Sequence, residues 1–379
     1  MSLNELLKGV YGSLVNGLIE LLKRPPSRLY ARVNTIRTTR ERVLEELRSE
    51  GVIAYPDELI PDAIFFEVEG PHELKCPGSG KVVVDLKTAI SLVLGANLYR
   101  PGVLKADPFN AGDYVMAVTQ RGTPVACIKT VRSRSDVLSR RRGIVGINVS
   151  SPYRAPRIAD TRVYQKGLIY VQSAPSIITS HVLGPRASDL VIDMNASPGG
   201  KTSHIVQLTR GKARVIAIDR NEKKVKELRS TLQKLGLLHN VVMVPADSRY
   251  IHLDFNVVGK ADKVLIDPPC SNSGVRPLLD YSRTLKDVLN LANYQRQFLK
   301  AAWHVLKPGG ILVYSTCTLT TIENEENALY AIREIGFNSI ELEKTPPYAE
   351  KVSYKGLVAY RFSPLSWDMP GYFIAVFSK

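Results

Sequence analysis

Apolar positions between Leu3 and Leu22 recur with helical spacing and predict a helix there, followed by a strand over Leu29 to Val33 and a second helix from Arg40 to Arg48. Thr38 and Glu41 have the spacing of a capping box, Pro25-Pro26 breaks the chain after the first helix, and Gly51 stands where a helix end favours a left-handed residue. From about Gly78 the texture changes to short β-branched runs separated by Gly, Asp and Pro: Val82 to Val84, Tyr114 to Thr119, Val125 to Thr130 and Ile144 to Val149. They predict a small barrel with one short helix, Thr88 to Leu94. After about Ser150 strands and helices alternate. The strands are Leu190 to Met194, Arg214 to Ile218, Val241 to Val244, Lys263 to Ile266, Ile311 to Ser315 and Gly371 to Lys379. The helices start at Gly200 or cover Glu222 to Leu235, Leu285 to Leu306 and Glu323 to Ile335. Such alternation predicts a doubly wound, mainly parallel sheet that binds ligands at the carboxyl ends of its strands. The expected organisation is an N-terminal α/β unit over residues 1–78, a barrel over 79–150 and an α/β domain over 151–379.

The length of 379 residues exceeds what one core usually serves, which agrees with several domains. With 51 basic against 36 acidic residues the chain carries +15, so an anionic partner is expected, nucleic acid before a membrane surface. Lys129, Arg132, Arg134, Arg140, Arg141 and Arg142 concentrate that charge around a single acid, Asp136. Alternatively, the run is a solvated edge that discourages strand pairing. Glu5, Lys8 and Glu20 interrupt the first apolar stretch, so neither a signal peptide nor a membrane span is expected. Four cysteines, none in a C-x-x-C pair, argue against a disulfide framework and a structural zinc site and for the reducing cytoplasm. No metal is expected, and the chain is expected to act as a monomer.

The first strand of the large domain ends in Asp193-Met194-Asn195-Ala196-Ser197-Pro198-Gly199-Gly200-Lys201-Thr202. Small residues and paired glycines at a strand-to-helix turn let a ligand approach the backbone, and the new helix offers free N–H groups. A nucleotide-like cofactor fits there. A P-loop would share Gly200-Lys201-Thr202, but its first glycine falls on Asn195. Asp219, followed by Arg220, ends the second strand where a ribose diol would be bound, with capping of the next helix as its alternative role. Asp247 ends the third strand in the same way. Two further strand ends carry cysteines, Asp267-Pro268-Pro269-Cys270-Ser271 and Tyr314-Ser315-Thr316-Cys317-Thr318. A lone buried cysteine reads as an inert small hydrophobe. Two at the functional edge of one sheet point to thiol chemistry.

These motifs, with Glu323-Asn324-Glu325, resemble the Nop/Sun family of S-adenosylmethionine-dependent RNA cytosine-5 methyltransferases over roughly residues 150–379. Leu94 to Val103 with Gly112-Asp113-Tyr114-Val115 resembles a PUA domain, an RNA-binding barrel, and Gly274-Val275-Arg276-Pro277 resembles the branch that modifies the tRNA acceptor end. The resemblance implies a Rossmann-like class I methyltransferase domain whose final strand is antiparallel. S-adenosylmethionine would be held by Asn195, Ala196, Ser197, Pro198, Gly199, Gly200, Lys201, Asp219, Arg220, Asp247 and Asp267. It also implies a tRNA bearing its 3′ CCA, with the cytidine beside the discriminator base as target. Gly95, Ala96 and Tyr99 would then meet the RNA end and the cations of 129–142 its phosphates. Two positions depart from the family: Asn195-Ala196-Ser197 stands where Cys-Ala-Ala is usual, and Asn272 where glycine is usual.

Carbon 5 of cytosine is a poor nucleophile until a thiolate adds at carbon 6. An acid on the N3/N4 edge stabilises the charge that develops, and Asp267 sits in the same turn as Cys270. By family analogy Cys317 attacks, Cys270 promotes release of the product and Lys201 orients the base. An N-methyltransferase would carry an aromatic residue at position 270. The alternatives kept open are a ribosomal RNA substrate and a non-catalytic RNA-binding protein on a methyltransferase scaffold.

Overall fold

In the computed structural model, which describes residues 3–379, the first apolar stretch forms two helices, α1 (Leu3–Tyr11) and α2 (Val15–Leu22), where one was predicted. Gly12, at φ +53°, breaks it, and a 3-10 turn follows. Met1 and Ser2 of the expected N-terminal unit lie outside the described residues. Leu7, Val15, Leu18 and Leu22 pack against Leu319, two residues beyond Cys317, so the N-terminal helices brace a loop of the large domain. Strand β1 (Arg28–Val33) leads into α3 (Arg40–Ser49), whose cap is Thr39, not Thr38. The Thr38 N–H is already bonded to the carbonyl of Asn34 in a turn, so Thr39 is the last extended residue and its Oγ1 accepts the Arg42 N–H at 3.4 Å. Gly51 takes the expected left-handed conformation, φ +74°. Strands β2 (Tyr55–Pro56) and β3 (Ala63–Glu67) follow, β3 antiparallel to both β1 and β2.

The middle unit has strands β4 (Gly80–Val84), β5 (Leu98–Tyr99), β6 (Val103–Ala106), β7 (Tyr114–Val118), β8 (Pro124–Thr130) and β9 (Ile144–Ser150), paired in the order β5-β9-β8-β7-β4-β6. Helix α4 (Leu86–Val93) is N-capped by Asp85, and its Leu92 packs on Val82, Val115 and Ile128. A second helix, α5 (Arg134–Ser139), was not predicted and carries part of the cation run. The expectation of no disulfide is overturned: Cys76 and Cys127 are joined, 51 residues apart. Count and C-x-x-C spacing could not show this pairing, because it arises from the linker folding back along the sheet, where Lys75 N–H bonds Ser150 Oγ at 3.2 Å. Cys127 itself lies buried on β8.

After the short helix α6 (Arg162–Gln165), strand β10 (Ile169–Val171) returns to the N-terminal sheet and pairs with β1. The catalytic sheet then runs α7 (Ala174–Leu183), β11 (Leu190–Asp193), α8 (Gly200–Leu208), β12 (Arg214–Asp219), α9 (Glu222–Leu235), β13 (Val241–Pro245), α10 (Ile251–Asp254), β14 (Ala261–Ile266), α11 (Leu285–Val305) and β15 (Leu306–Thr316). It closes with α12 (Glu325–Tyr330), β16 (Asn338–Ser339), β17 (Glu350–Tyr354), β18 (Leu357–Phe362) and β19 (Tyr372–Ser378). Strand order is β13-β12-β11-β14-β15-β19-β18-β17, with the first five parallel and β19 antiparallel to β15, as the resemblance implied. The order reverses between β11 and β14, which opens a crevice at their carboxyl ends. Among the described residues, no helix is long and apolar enough to cross a membrane.

A buried polar seam joins the N-terminal sheet to α8. Arg32 of β1, 1% exposed, donates to Gln172, Gln207 and Ser203. Asp62 accepts from His181 Nε2 at 2.8 Å and His204 Nε2 at 2.7 Å. Burial, and then the nearby Arg32 charge, push His204 down to about 3, so it is neutral in the folded protein. Its unfolded pKa is near 6.5, so this stabilisation is complete above that value and is lost as pH falls toward 3. Urea unfolding between pH 7.5 and 4.5 should show His204→Gln losing up to about 1.4 kcal/mol less per pH unit than the wild type. Equal slopes would contradict the assignment.

Candidate active site

At the end of β11 the chain turns through Asn195 to Gly199 into α8. Gly199 sits at φ +110°, and a Cβ there would lie 2.9 Å from Leu228 Cδ1. Asp193 is buried and accepts from Thr202 Oγ1 at 2.6 Å, and its burial pushes its carboxyl up to about 6. Asp219 accepts the N–H of Ser197 at 2.9 Å on Oδ2 and that of Arg220 at 2.8 Å on Oδ1. It therefore holds the cofactor turn against β12. The cap of α9 is Asn221, which removes the capping alternative for Asp219. Asp247 is gripped by Arg249, whose Nε lies 2.9 and 3.0 Å from its two oxygens, and these bonds hold its carboxyl below the ordinary range. The guanidinium rests 4.6 Å from the Tyr294 ring centroid.

Asn195, Ser197, Asp219, Arg220 and Asp247 line one end of a cleft of about 400 Å³, and Asp267, Cys270 and Cys317 line the other. Ala196, Pro198, Gly200 and Lys201 face an adjoining cavity of about 230 Å³ that shares Asn195, Ser197 and Asp267. Gly199 lines neither and acts through the turn. Asn195 Oδ1 is buried without a hydrogen-bond partner, an acceptor left for a ligand. An unpaired acceptor, a glycine turn and an acid at the next strand tip fit S-adenosylmethionine, with its ammonium and ribose hydroxyls as donors.

Parallel pairing of Ile266 with Tyr314 sets the ends of β14 and β15 side by side, and the two thiols meet with sulfurs 3.2 Å apart. Cys270 is buried and Cys317 half-buried. The hydrogen bond to Cys317, and then burial, raise the Cys270 pKa well above an ordinary thiol's. Asn272, at φ +58°, turns its Oδ1 to both sulfurs, 2.9 Å from Cys317 and 3.3 Å from Cys270. Glu323, wholly buried, ties the two cysteine loops together: it accepts from Ser271 N–H at 2.8 Å and from the Thr318 and Thr320 hydroxyls at 3.1 and 2.9 Å. Asp267 takes Lys201 Nζ at 2.5 Å on one oxygen and the Ser315 and Tyr372 hydroxyls at 3.2 and 3.3 Å on the other. Burial opposes the Lys201 charge, but the Asp267 carboxylate outweighs it and raises the lysine pKa. Sequence reading missed Tyr372 and the Asn272–Cys317 contact, whose partners arrive from elsewhere in the fold, and also Arg249, although it grips Asp247 only two residues away.

In the middle unit Tyr99 is 54% exposed, which removes the core role that a tyrosine often has. Its pairing with Ile144 sets it beside the exposed Arg140, Arg141 and Arg142. Gly95, at φ +89°, lines a cavity of about 540 Å³ with Asn148, Arg154 and Arg157. The Ala96 carbonyl is taken by Asn148 Nδ2 at 3.0 Å. Lys129 lies 5.7 Å from the Tyr114 ring centroid. Arg134 is engaged with the Ala106 carbonyl at 2.9 Å, and Arg132 has a buried, unpartnered Nε, so only part of the run is a free surface.

Residues 180–378 match the family model described as 16S rRNA methyltransferase RsmB/F, 3–73 the RsmF/B-like ferredoxin-like domain and 80–146 the PUA domain. A tRNA (cytosine(72)-C(5))-methyltransferase of Pyrococcus horikoshii is 36% identical over 100% of this chain and 96% of its own length. The tRNA (cytosine(72)-C(5))-methyltransferase NSUN6 of Mus musculus is 31% identical, over 87% and 76%. A crystal structure of NSun6 from Pyrococcus horikoshii with SFG, an S-adenosylmethionine analogue, matches with TM-score 0.89 and 35% identity, covering 100% of this chain and 97% of that one. The paired thiols and the three matched domains thus agree, and the chain belongs to the Nop/Sun (RsmB/F) family of S-adenosylmethionine-dependent RNA cytosine-5 methyltransferases, in its PUA-containing branch.

Proposed function

We propose that the protein methylates carbon 5 of a cytidine in the tRNA acceptor end, position 72, as the names of its relatives state for them. The observation that carries this reading is the meeting of two thiols, 3.2 Å apart, in the cleft that also holds Asp219 and Asp267. S-adenosylmethionine, when bound, supplies the methyl group. Cys317 adds through its thiolate to carbon 6, and a bond from Sγ to the ring makes carbon 5 electron-rich. Asp267 and Lys201, locked together and partly buried in the same site, meet the base edge and hold the charge that develops there. Once carbon 5 is methylated, its proton leaves to a base with Cys270 assisting, the carbon–sulfur bond breaks and the Cys317 thiolate is restored. Incubation with labelled cofactor should mark total tRNA and leave ribosomal RNA unmarked; the reverse would favour a ribosomal substrate.

The acids and the turn at the other end of the cleft would hold the cofactor: Asn195 Oδ1 accepts from its ammonium and Asp219 from its ribose. Loss of a charge-assisted bond, together with the Ser197 anchor, should weaken cofactor binding in Asp219→Ala by roughly ten- to hundred-fold. Calorimetry on folded protein is the check, and wild-type affinity would remove Asp219 from the site.

The PUA domain would hold the CCA end of a tRNA bound by one copy of the chain, with no metal required. Tyr99 offers a stacking face, Gly95 a close backbone approach, and Arg140, Arg141 and Arg142 phosphate contacts. Replacing two of these arginines should weaken every RNA alike and flatten the salt dependence. Tyr99→Ala should impair intact tRNA most and end-trimmed tRNA little. Binding of both RNAs across a salt series tests this, and an unchanged slope in the arginine variant would return the run to a solvated edge.

A further inference from the structure

Asn272 makes a three-atom contact that a glycine at this position could not make. Its Oδ1 lies 2.9 Å from Cys317 Sγ and 3.3 Å from Cys270 Sγ, with the sulfurs 3.2 Å from each other. The backbone does not need this side chain. The loop is tied by main-chain bonds from Val275 N–H to the Asn272 carbonyl at 3.2 Å and from Gly274 N–H to the Cys317 carbonyl at 3.0 Å. The residue also sits at φ +58°, a conformation glycine adopts more freely than asparagine.

A carbonyl oxygen accepts from a thiol but repels a thiolate. Ionisation of Cys317 therefore reverses the polarity that the contact requires, and a carboxamide can follow: a half-turn about its Cβ–Cγ bond brings Nδ2–H to the place of Oδ1. Three of the groups around the thiols are committed to other partners. Glu323 is engaged with Ser271, Thr318 and Thr320, Asp267 with Lys201, and Tyr314 donates to the Glu323 carbonyl. The Tyr281 hydroxyl, buried without a hydrogen-bond partner, faces Cys270, and Arg283 lines the cleft wall; neither bonds a sulfur. Among the described residues Asn272 is the side chain, apart from the thiols themselves, bonded to both sulfurs. We propose that Asn272 is a further catalytic residue of this site, resting on the reading of Cys317 as nucleophile: its carboxamide accepts from both thiols at rest and, turned over, donates to the Cys317 thiolate. The proton that Cys317 loses passes to solvent, and no bond other than S–H is broken.

Alkylation of the full-length protein by iodoacetamide from pH 6 to 10, with Cys270 and Cys317 peptides resolved by mass spectrometry, reads each thiolate separately. Asn272→Gly should alkylate Cys317 about tenfold more slowly at pH 7, with its midpoint moved to higher pH, while its melting temperature is no lower than wild type. Asn272→Asp, which accepts but cannot donate and adds a negative charge, should be slower still. In turnover, Asn272→Gly should lower kcat with the KM for tRNA retained. A Cys317 profile that superposes on wild type, or a shift confined to Cys270, overturns the inference. If the shift appears but Cys317→Ala still methylates RNA, the Asn272 contact stands and the nucleophile assignment fails.

Discussion

Cys317→Ala is expected to abolish methyl transfer, at least a thousand-fold below wild type, while cofactor affinity stays near wild type. Cys317 follows directly on β15 at the mouth of the sheet crevice, half-exposed where Cys270 is buried, so a base entering the cleft meets its sulfur first. Without that sulfur carbon 5 should not be activated, because the neighbouring Cys270 thiol, buried and with its pKa raised well above the ordinary value, resists ionisation. Cys270→Ala has a different consequence: addition and methylation proceed, but release stalls, and a protein–RNA adduct that survives denaturing electrophoresis accumulates. A stable adduct from Cys317→Ala and none from Cys270→Ala would reverse the two roles. Appreciable turnover by Cys317→Ala would sink the covalent mechanism.

The second large effect is expected at Asp267. Its carboxylate takes Lys201 at 2.5 Å and two hydroxyls, so it is held rigidly beside the thiols before any substrate arrives. Asp267→Asn preserves the shape and removes the charge that fixes Lys201. Lost preorganisation of this kind lowers kcat by about 10²–10³. Single-turnover methylation with saturating cofactor is the measurement, and a loss under tenfold would show that the pair is structural. Lys201→Met should fall in the same range, since each partner orients the other.

The catalytic domain was legible because its signals are local. Apolar runs ending in Asp193, Asp219 and Asp247 give both a parallel strand and the chemistry at its tip, and Cys270 and Cys317 occupy equivalent strand ends. The contacts that finish the site are not local. Tyr372 reaches Asp267 across 105 residues, and Glu323 reaches Ser271 across 52. Strand β10 has three residues and gains its partner far earlier in the chain, with Tyr170 facing Arg32 138 residues before it, so periodicity had nothing to register. The β17–β18 hairpin was readable in principle. Lys355-Gly356, at φ +51° and +88°, forms a two-residue turn between alternating segments. The disulfide and the break at Gly12 show the converse limit: composition and pattern describe a stretch, while the chain's path over its own surface decides which cysteines meet and where a helix stops.

This site is expected to place a methyl group on carbon 5 of the cytidine beside the discriminator base. The most direct measurement is nuclease digestion and mass spectrometry of tRNA treated with the purified protein and S-adenosylmethionine. Carbon-5 methylation confined to position 72, absent when that cytidine is replaced and lost with Cys317→Ala, is the result expected. A methyl group on a ring nitrogen, on ribose or on a cytidine elsewhere in the tRNA would contradict it.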